Sequence, residues 1–129
     1  MSKLQTYVKS LLQKVFKRIP IREEVSVRKL FPEYPSGRDF YDLVIPSLQL
    51  IIEVHGAQHE KLVSFGPEDA EECLRKLTHQ KYRDRRKEDV ARENNWNYLV
   101  IWYHELKRKE QSDTELLRQK LQLAMIERT

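Results

Sequence analysis

Residues 40–56 read Phe40-Tyr41-Asp42-Leu43-Val44-Ile45-Pro46-Ser47-Leu48-Gln49-Leu50-Ile51-Ile52-Glu53-Val54-His55-Gly56. Two apolar runs, Phe40 to Ile45 and Leu48 to Val54, flank Pro46-Ser47, and Gly56 closes the second. Short runs rich in β-branched residues predict strands, and Pro-Ser between them predicts a turn. So brief an interval joins antiparallel neighbours as a hairpin. Leu50-Ile51-Ile52 is apolar at successive positions, so that strand is covered on both faces, as in the middle of a sheet. Two acids interrupt the pattern. Asp42 stands inside the first run and Glu53 at the end of the second, and a hairpin returning from Asp42 brings Glu53 back beside it.

Outward from the hairpin the periodicity changes. Leu4, Tyr7, Val8, Leu11, Leu12, Val15, Phe16 and Ile19 recur at spacings of three and four, which predicts an amphipathic helix ending at Pro20. Its other face carries Lys3, Lys9, Lys14, Lys17 and Arg18, either as solvated lysines or as phosphate contacts. Val25, Val27 and Leu30 alternate with polar residues as a half-buried strand does, and residues 31–37 form a turn-rich connection. Residues 57–67 read as irregular. Pro67 then opens a long polar helix to Asn94-Asn95, either continuous or broken near Thr78, with Glu68, Asp69, Glu71 and Glu72 at its N-terminal end. Tyr98 to Tyr103 predicts a fourth strand, and Leu116 to Ile126 a C-terminal helix capped by Ser112 or Asp113. The order α-β-β-β-α-β-α predicts an α/β (α+β) fold with a mixed sheet of four strands and helices packed on it. The chain of 129 residues is expected to form one domain, with residues 1–20 as an N-terminal helix, 21–105 as the core and 106–129 as the C-terminal helix.

Charge is distributed in blocks. Lys plus Arg is 24 and Asp plus Glu is 20, so the net charge of +4 alone says little about partners. Residues 1–30 carry eight bases and two acids, residues 31–74 two bases and nine acids, and residues 75–129 fourteen bases and nine acids. A carboxylate-rich middle between basic ends suits a nucleic-acid binder with an acidic pocket. Cys73 is the only cysteine, which excludes an intrachain disulfide and a multi-cysteine zinc site. No apolar run approaches the ~20 residues of a membrane span, and no signal-peptide core stands at the N-terminus, so an intracellular, cytoplasmic protein without membrane contact is expected.

The residues able to do chemistry gather near the hairpin. Two converging carboxylates suit a hard divalent ion such as Mg²⁺, which completes its shell with water and phosphate oxygens. The bland alternative puts both acids on the solvent face of an edge hairpin. His55 stands two residues after Glu53, hence on the same strand face, and His59 follows where the chain leaves the sheet. Histidines beside carboxylates suit acid–base work near neutral pH. The same set could ligate zinc or manganese, although its spacing matches no zinc-protease helix. Lys81, Arg83, Arg85, Arg86 and Lys87 form a basic run around Asp84, which by itself reads equally as a surface salt-bridge residue. Tyr82, Trp96 and Trp102 could stack on bases, though the two tryptophans border a buried strand and suit core packing.

Asp42, then Glu53-Val54-His55-Gly56 and His59, then Arg83-Asp84-Arg85-Arg86, then Asn95-Trp96 and Leu99-Val100-Ile101-Trp102, stand in the order of a known pattern. The set resembles the PD-(D/E)XK nucleases of restriction-endonuclease-like fold. The histidine at position 55, where most members have lysine, is similar to the very short patch repair endonucleases and related phage and homing endonucleases. The resemblance spans roughly residues 39–105. It implies an α-β-β-β-α-β core with an extra C-terminal helix, and a Mg²⁺-dependent endonuclease, with Mn²⁺ as a substitute. It implies metal binding by Asp42, by the Glu53 side chain in the wider superfamily and by the Val54 backbone carbonyl in the repair enzymes. His55 and His59 match the histidines that handle the attacking water or the leaving group, and Asp84 matches a helical aspartate that orients a histidine. Relatives also draw a glutamate from before the strands, for which Glu23 and Glu24 are candidates.

DNA, duplex foremost, is the implied partner, held by Lys81, Arg83, Arg85, Arg86 and Lys87 together with Lys14, Lys17 and Arg18. A homodimer would let so small a nuclease cut both strands. Two departures stand out: the lone Cys73 cannot build the structural zinc site of the repair enzymes, and Ala57-Gln58 replace the aromatic wedge that follows their glycine. Mismatch repair is therefore not implied. The other readings of the same residues are a DNA-binding module that has lost activity, and an RNA or structure-specific nuclease.

Overall fold

The run Leu50–His55 forms the third strand of a sheet and is buried at all six positions. It belongs to a computed structural model whose described residues are 2–56 and 67–126. In chain order the elements are α1 (Lys3–Val15), β1 (Arg22–Ser26), α2 (Val27–Leu30), β2 (Phe40–Ile45), β3 (Leu50–His55), α3 (Pro67–Glu93), β4 (Asn97–Trp102) and α4 (Glu110–Ile126). The four strands form one sheet in the order β1-β2-β3-β4. The first two pairings are antiparallel and β3–β4 is parallel, so the fold is mixed α/β with helices flanking a mixed sheet. The parallel pairing follows from the length of α3, which carries the chain back to the start of β4.

Alternation along β3 separates two cores. Leu50, Ile52 and Val54 pack with Leu43, Ile45, Leu99 and Ile101 against Val8, Leu11 and Leu12 of α1 and Leu117 and Leu121 of α4. Ile51 packs with Val25, Val44 and Tyr98 against Ala91 of α3 and Val27, Phe31 and Tyr34. The sheet is therefore covered on both faces, by α1 and α4 on one side and by α3 on the other. Ile52→Ala should lower unfolding stability by about 2–5 kcal/mol, read from urea unfolding, because Ile52 is fully buried between β2 and β4.

Several element boundaries differ from the sequence reading. The first helix stops at Val15 rather than Ile19, because Phe16 leaves the helix at φ −115° and ψ 73°. The alternating strand over Val25, Val27 and Leu30 ends at Ser26. Val27 N–H donates to Asp39 C=O, and Phe31 N–H donates back to Val27 C=O, which winds Val27–Leu30 into one helical turn. The hairpin turn is a 3₁₀ turn over Pro46–Leu48 followed by Gln49 at φ 46°, so the next strand starts at Leu50 rather than Leu48. The polar helix runs unbroken to Glu93. It ends where Asn95 turns left-handed at φ 62°, while Asn95 N–H reaches Arg92 C=O and Trp96 N–H reaches Ala91 C=O. The last helix starts at Glu110, so neither Ser112 nor Asp113 caps it. Asp113 is instead fully buried, accepting from Lys107 N–H at 2.8 Å and Tyr7 O–H at 2.5 Å.

One irregularity places the site. The β1–β2 pairing runs Arg22↔Val44, Glu23↔Leu43, Val25↔Tyr41 and Ser26↔Phe40, and skips the step at Glu24 and Asp42. Glu24 there has φ 49°. Leu43 faces α1 whereas Tyr41, two residues away, faces α3. Residues two apart in a regular strand share a face, so the strand twists over at Asp42. A left-handed glutamate costs on the order of 1 kcal/mol, which the surrounding pairings hold in place.

Candidate active site at the β2–β3 splay

The β2–β3 ladder ends at Leu43↔Ile52. Beyond it the strands part, and the two acids take over the backbone groups that lose their partners. Asp42 Oδ2 accepts from Val54 N–H at 2.7 Å, and Glu53 Oε2 accepts from Asp42 N–H at 3.3 Å. From the far side of the sheet, the Gln5 side-chain amide of α1 donates to Asp42 C=O at 3.2 Å. Asp42 and Glu53 are therefore brought together, and the splay itself explains why acids stand within a buried strand pair.

Glu53 and His55 alternate with Ile52 and Val54, so both face α3. That helix answers with Asp84, Lys87 and Ala91, spaced i, i+3 and i+7 along one face. Lys87 Nζ lies 2.7 Å from Glu53 Oε1 and 5.7 Å from the centre of the Tyr41 ring. Glu53 Oε1 nonetheless has no hydrogen bond of good geometry. His55 Nε2 lies 4.0 Å from Asp84 Oδ2, a charge neighbour beyond hydrogen-bond length. The His55 ring also stands edge-on to Trp102 at 4.7 Å.

Burial dominates the titration of Glu53, whose side chain is 1% exposed. It raises the carboxyl pKa to about 8, with the Lys87 ammonium opposing and the Asp42 charge adding. The folded chain then holds a proton that the unfolded chain releases near the ordinary carboxylate value. Stability linked to this group is full below about pH 4.5 and lost as pH rises through about 8. In metal-free buffer, wild type should lose on the order of a few kcal/mol more over this interval than Glu53→Gln, read as a steeper fall of melting temperature with pH.

The remaining candidates fall into three groups. Val54 lies in register with Ile101, with its N–H on Asp42. His59 lies outside the described residues. Glu23 forms an ion pair with Lys9 of α1, on the face away from α3, whereas Glu24 stands at the skipped step opposite Asp42.

The basic residues divide as well. Lys81, Arg83 and Arg85 are exposed on α3. Lys87 is not an exposed DNA contact, because its ammonium turns inward onto Glu53. Arg86 is held between the Tyr34 and Tyr82 rings, at 5.5 and 4.9 Å, and lies 3.7 Å from Asp39. Lys14 pairs with Glu110 of α4, about 14 Å along α1 from Gln5, and Lys17 and Arg18 lie still farther on. These three therefore do not gather around the carboxylates. Trp96 packs edge-on to Phe31 at 5.8 Å, as core packing requires. Gln5, which supports Asp42, was not among the sequence candidates. Its signal was a polar residue at helical spacing within the apolar stripe that includes Val8 and Leu12.

Among the described residues, no group of three or more His, Cys, Asp or Glu side chains is arranged to hold a metal ion. Asp42 and Glu53, which meet where β2 and β3 part, are donors of the kind Mg²⁺ takes, one or two carboxylates with several waters kept. Glu53 Oε1, buried and without a hydrogen bond of good geometry, already faces the Lys87 ammonium at 2.7 Å, and a metal ion there would compete with that ammonium. Among the described residues, no helix is long and apolar enough to cross a membrane. No family model matches the chain, and no curated protein matches it.

Proposed function

We propose that the chain is a Mg²⁺-dependent DNA endonuclease, with Mn²⁺ as a substitute, related to the PD-(D/E)XK nucleases that its motif order resembles. The observation that carries this reading is the meeting of Asp42 and Glu53 where β2 and β3 part, with His55 and Asp84 alongside. Asp42, Glu53 and the Val54 carbonyl would hold the ion. When bound, it supplies charge withdrawal from the scissile phosphate and a more acidic water.

The chain's own residues do the rest. Asp42 and Glu53 brace each other's strand, so their oxygens stay fixed as the charge on them changes. His55 accepts a proton from the attacking water or returns one to the departing oxygen, with Asp84 4.0 Å away. The Lys87 ammonium beside Glu53 opposes the rise of its pKa, which lowers the cost of ionising that buried carboxyl when the ion binds. Lys81, Arg83 and Arg85, exposed on the helix above the site, draw the DNA backbone to a pocket that would otherwise repel it.

The deciding experiment incubates supercoiled plasmid with the protein in Mg²⁺, Mn²⁺ or EDTA. Nicked or linear product in either metal and none in EDTA is expected. Intact plasmid, single strand and RNA in both metals would move the reading to a DNA-binding module without activity.

A further inference from the structure

A cleft of ≈ 380 Å³ opens between the start of β2 and α3, lined by Arg38, Phe40, Gln80, Arg83, Asp84 and Lys87. Its inner end is the site, because Asp84 reaches His55 and Lys87 reaches Glu53. We propose that this cleft receives one unstacked nucleotide next to the scissile phosphate, so that the preferred substrate is DNA carrying an unpaired nucleotide. The inference rests on the nuclease reading above and narrows its substrate class.

Charge pairing decides the kind of ligand. Asp39, which also lines the cleft, already accepts from Tyr34 O–H at 2.6 Å and lies 3.7 Å from Arg86. Lys87 is taken by Glu53. Arg38 and Arg83 are exposed, and among the described residues neither guanidinium has a carboxylate or hydrogen-bond partner. Against the remaining carboxylate of the lining, Asp84 beside His55, the cleft keeps two cations, a net positive charge that suits an anion. A guanidinium fork matches phosphate oxygens in pairs.

The aromatic residue supplies the second half of the argument. Phe40 is 48% exposed, although it pairs in register with Ser26 at a strand end where a polar side chain would serve. An exposed ring in one cleft with two guanidinium groups that lack a partner among the described residues is the arrangement that stacks a base while its phosphate is clamped. In a regular duplex that face of the base is covered by its neighbours. Only a bulged, flapped or single-stranded nucleotide can offer it. The ≈ 380 Å³ of the cleft lies within the range of small-ligand clefts, ~300–1,000 Å³.

Binding without cleavage separates this inference from the nuclease reading. Fluorescence anisotropy is measured in Ca²⁺ with three fluorescein-labelled probes of one sequence: a perfect duplex, a duplex with one bulged nucleotide, and a single strand. The bulged duplex should bind about tenfold tighter than the perfect one. Phe40→Ala should reduce that ratio to near unity, Phe40→Tyr should keep it, and Arg38→Ala with Arg83→Ala should weaken the bulged probe most. Equal affinity for both duplexes, a Phe40→Ala loss shared equally by them, or no binding to any probe would overturn the proposal. A preference for the bulge with no plasmid cleavage in any metal would uphold the cleft and overturn the nuclease reading. Cleavage of plasmid with equal duplex affinities would do the reverse.

Discussion

Asp42→Asn is expected to lower plasmid cleavage by about 10³-fold or more, with little change in melting temperature. The two halves of this expectation come from different atoms of one carboxylate. A carboxylate holding a divalent ion contributes several kcal/mol to the charge developing on the phosphate, and each 1.36 kcal/mol is tenfold in rate. Asparagine removes that charge. The structural half rests on Val54 N–H, which donates to Asp42 Oδ2 at 2.7 Å. Asparagine keeps a carbonyl oxygen for this donor. Alanine does not, and an unsatisfied N–H of this kind costs about 1–3 kcal/mol. Asp42→Ala would thus confuse lost chemistry with lost stability. Cleavage is read on agarose gels, and folding by far-ultraviolet circular dichroism. An Asp42→Asn protein that melts normally and cuts at the wild-type rate would remove Asp42 from the chemistry.

His55→Gln is expected to lower cleavage by about 10²–10⁴-fold, the usual contribution of a positioned acid or base. Glutamine fills most of the space beside Trp102, so the packing at 4.7 Å is largely kept. The magnitude alone does not assign a role, and pH supplies the discriminating measurement. Imidazole changes charge near neutrality, so wild-type rates should vary between about pH 6 and 8, whereas the residual rate of His55→Gln should be nearly flat there. A loss under about tenfold with an unchanged pH profile would make His55 a packing residue. Asp84, 4.0 Å from His55 Nε2, is a positioning residue that acts through the imidazole. Asp84→Asn should therefore cost less and shift the profile rather than flatten it.

Much of this candidate site is legible in the sequence alone. The hairpin over residues 40–55 and its two acids follow from short apolar runs around Pro46-Ser47, and antiparallel geometry alone brings Asp42 towards Glu53. The helix α3 was harder. Its face towards the sheet carries Asp84 and Lys87 at the spacing where hydrophobic residues usually stand, so its inward side could not be told from its outward one. Lys87 consequently read as one of five similar cations near Asp84. The strand over Val25–Leu30 misled because Val27 and Leu30 fit both a period of two and a helical turn. The hydrogen bond from Val27 N–H to Asp39 C=O settles the matter in favour of the turn.

Patterns within a few residues of one another determined the elements, their order and the candidate acids and histidines, because periodicity, turn chemistry and charge blocks are local properties of the chain. The tertiary structure decided how those residues are used. It set the twist at Glu24 and Asp42, the parting of β2 and β3, the turning of Lys87 onto Glu53 and the placing of Arg38 and Arg83 at the cleft. Each of these depends on register between strands or on which helix covers which face. Such choices are made by burial and charge pairing between distant segments, and no local pattern encodes them.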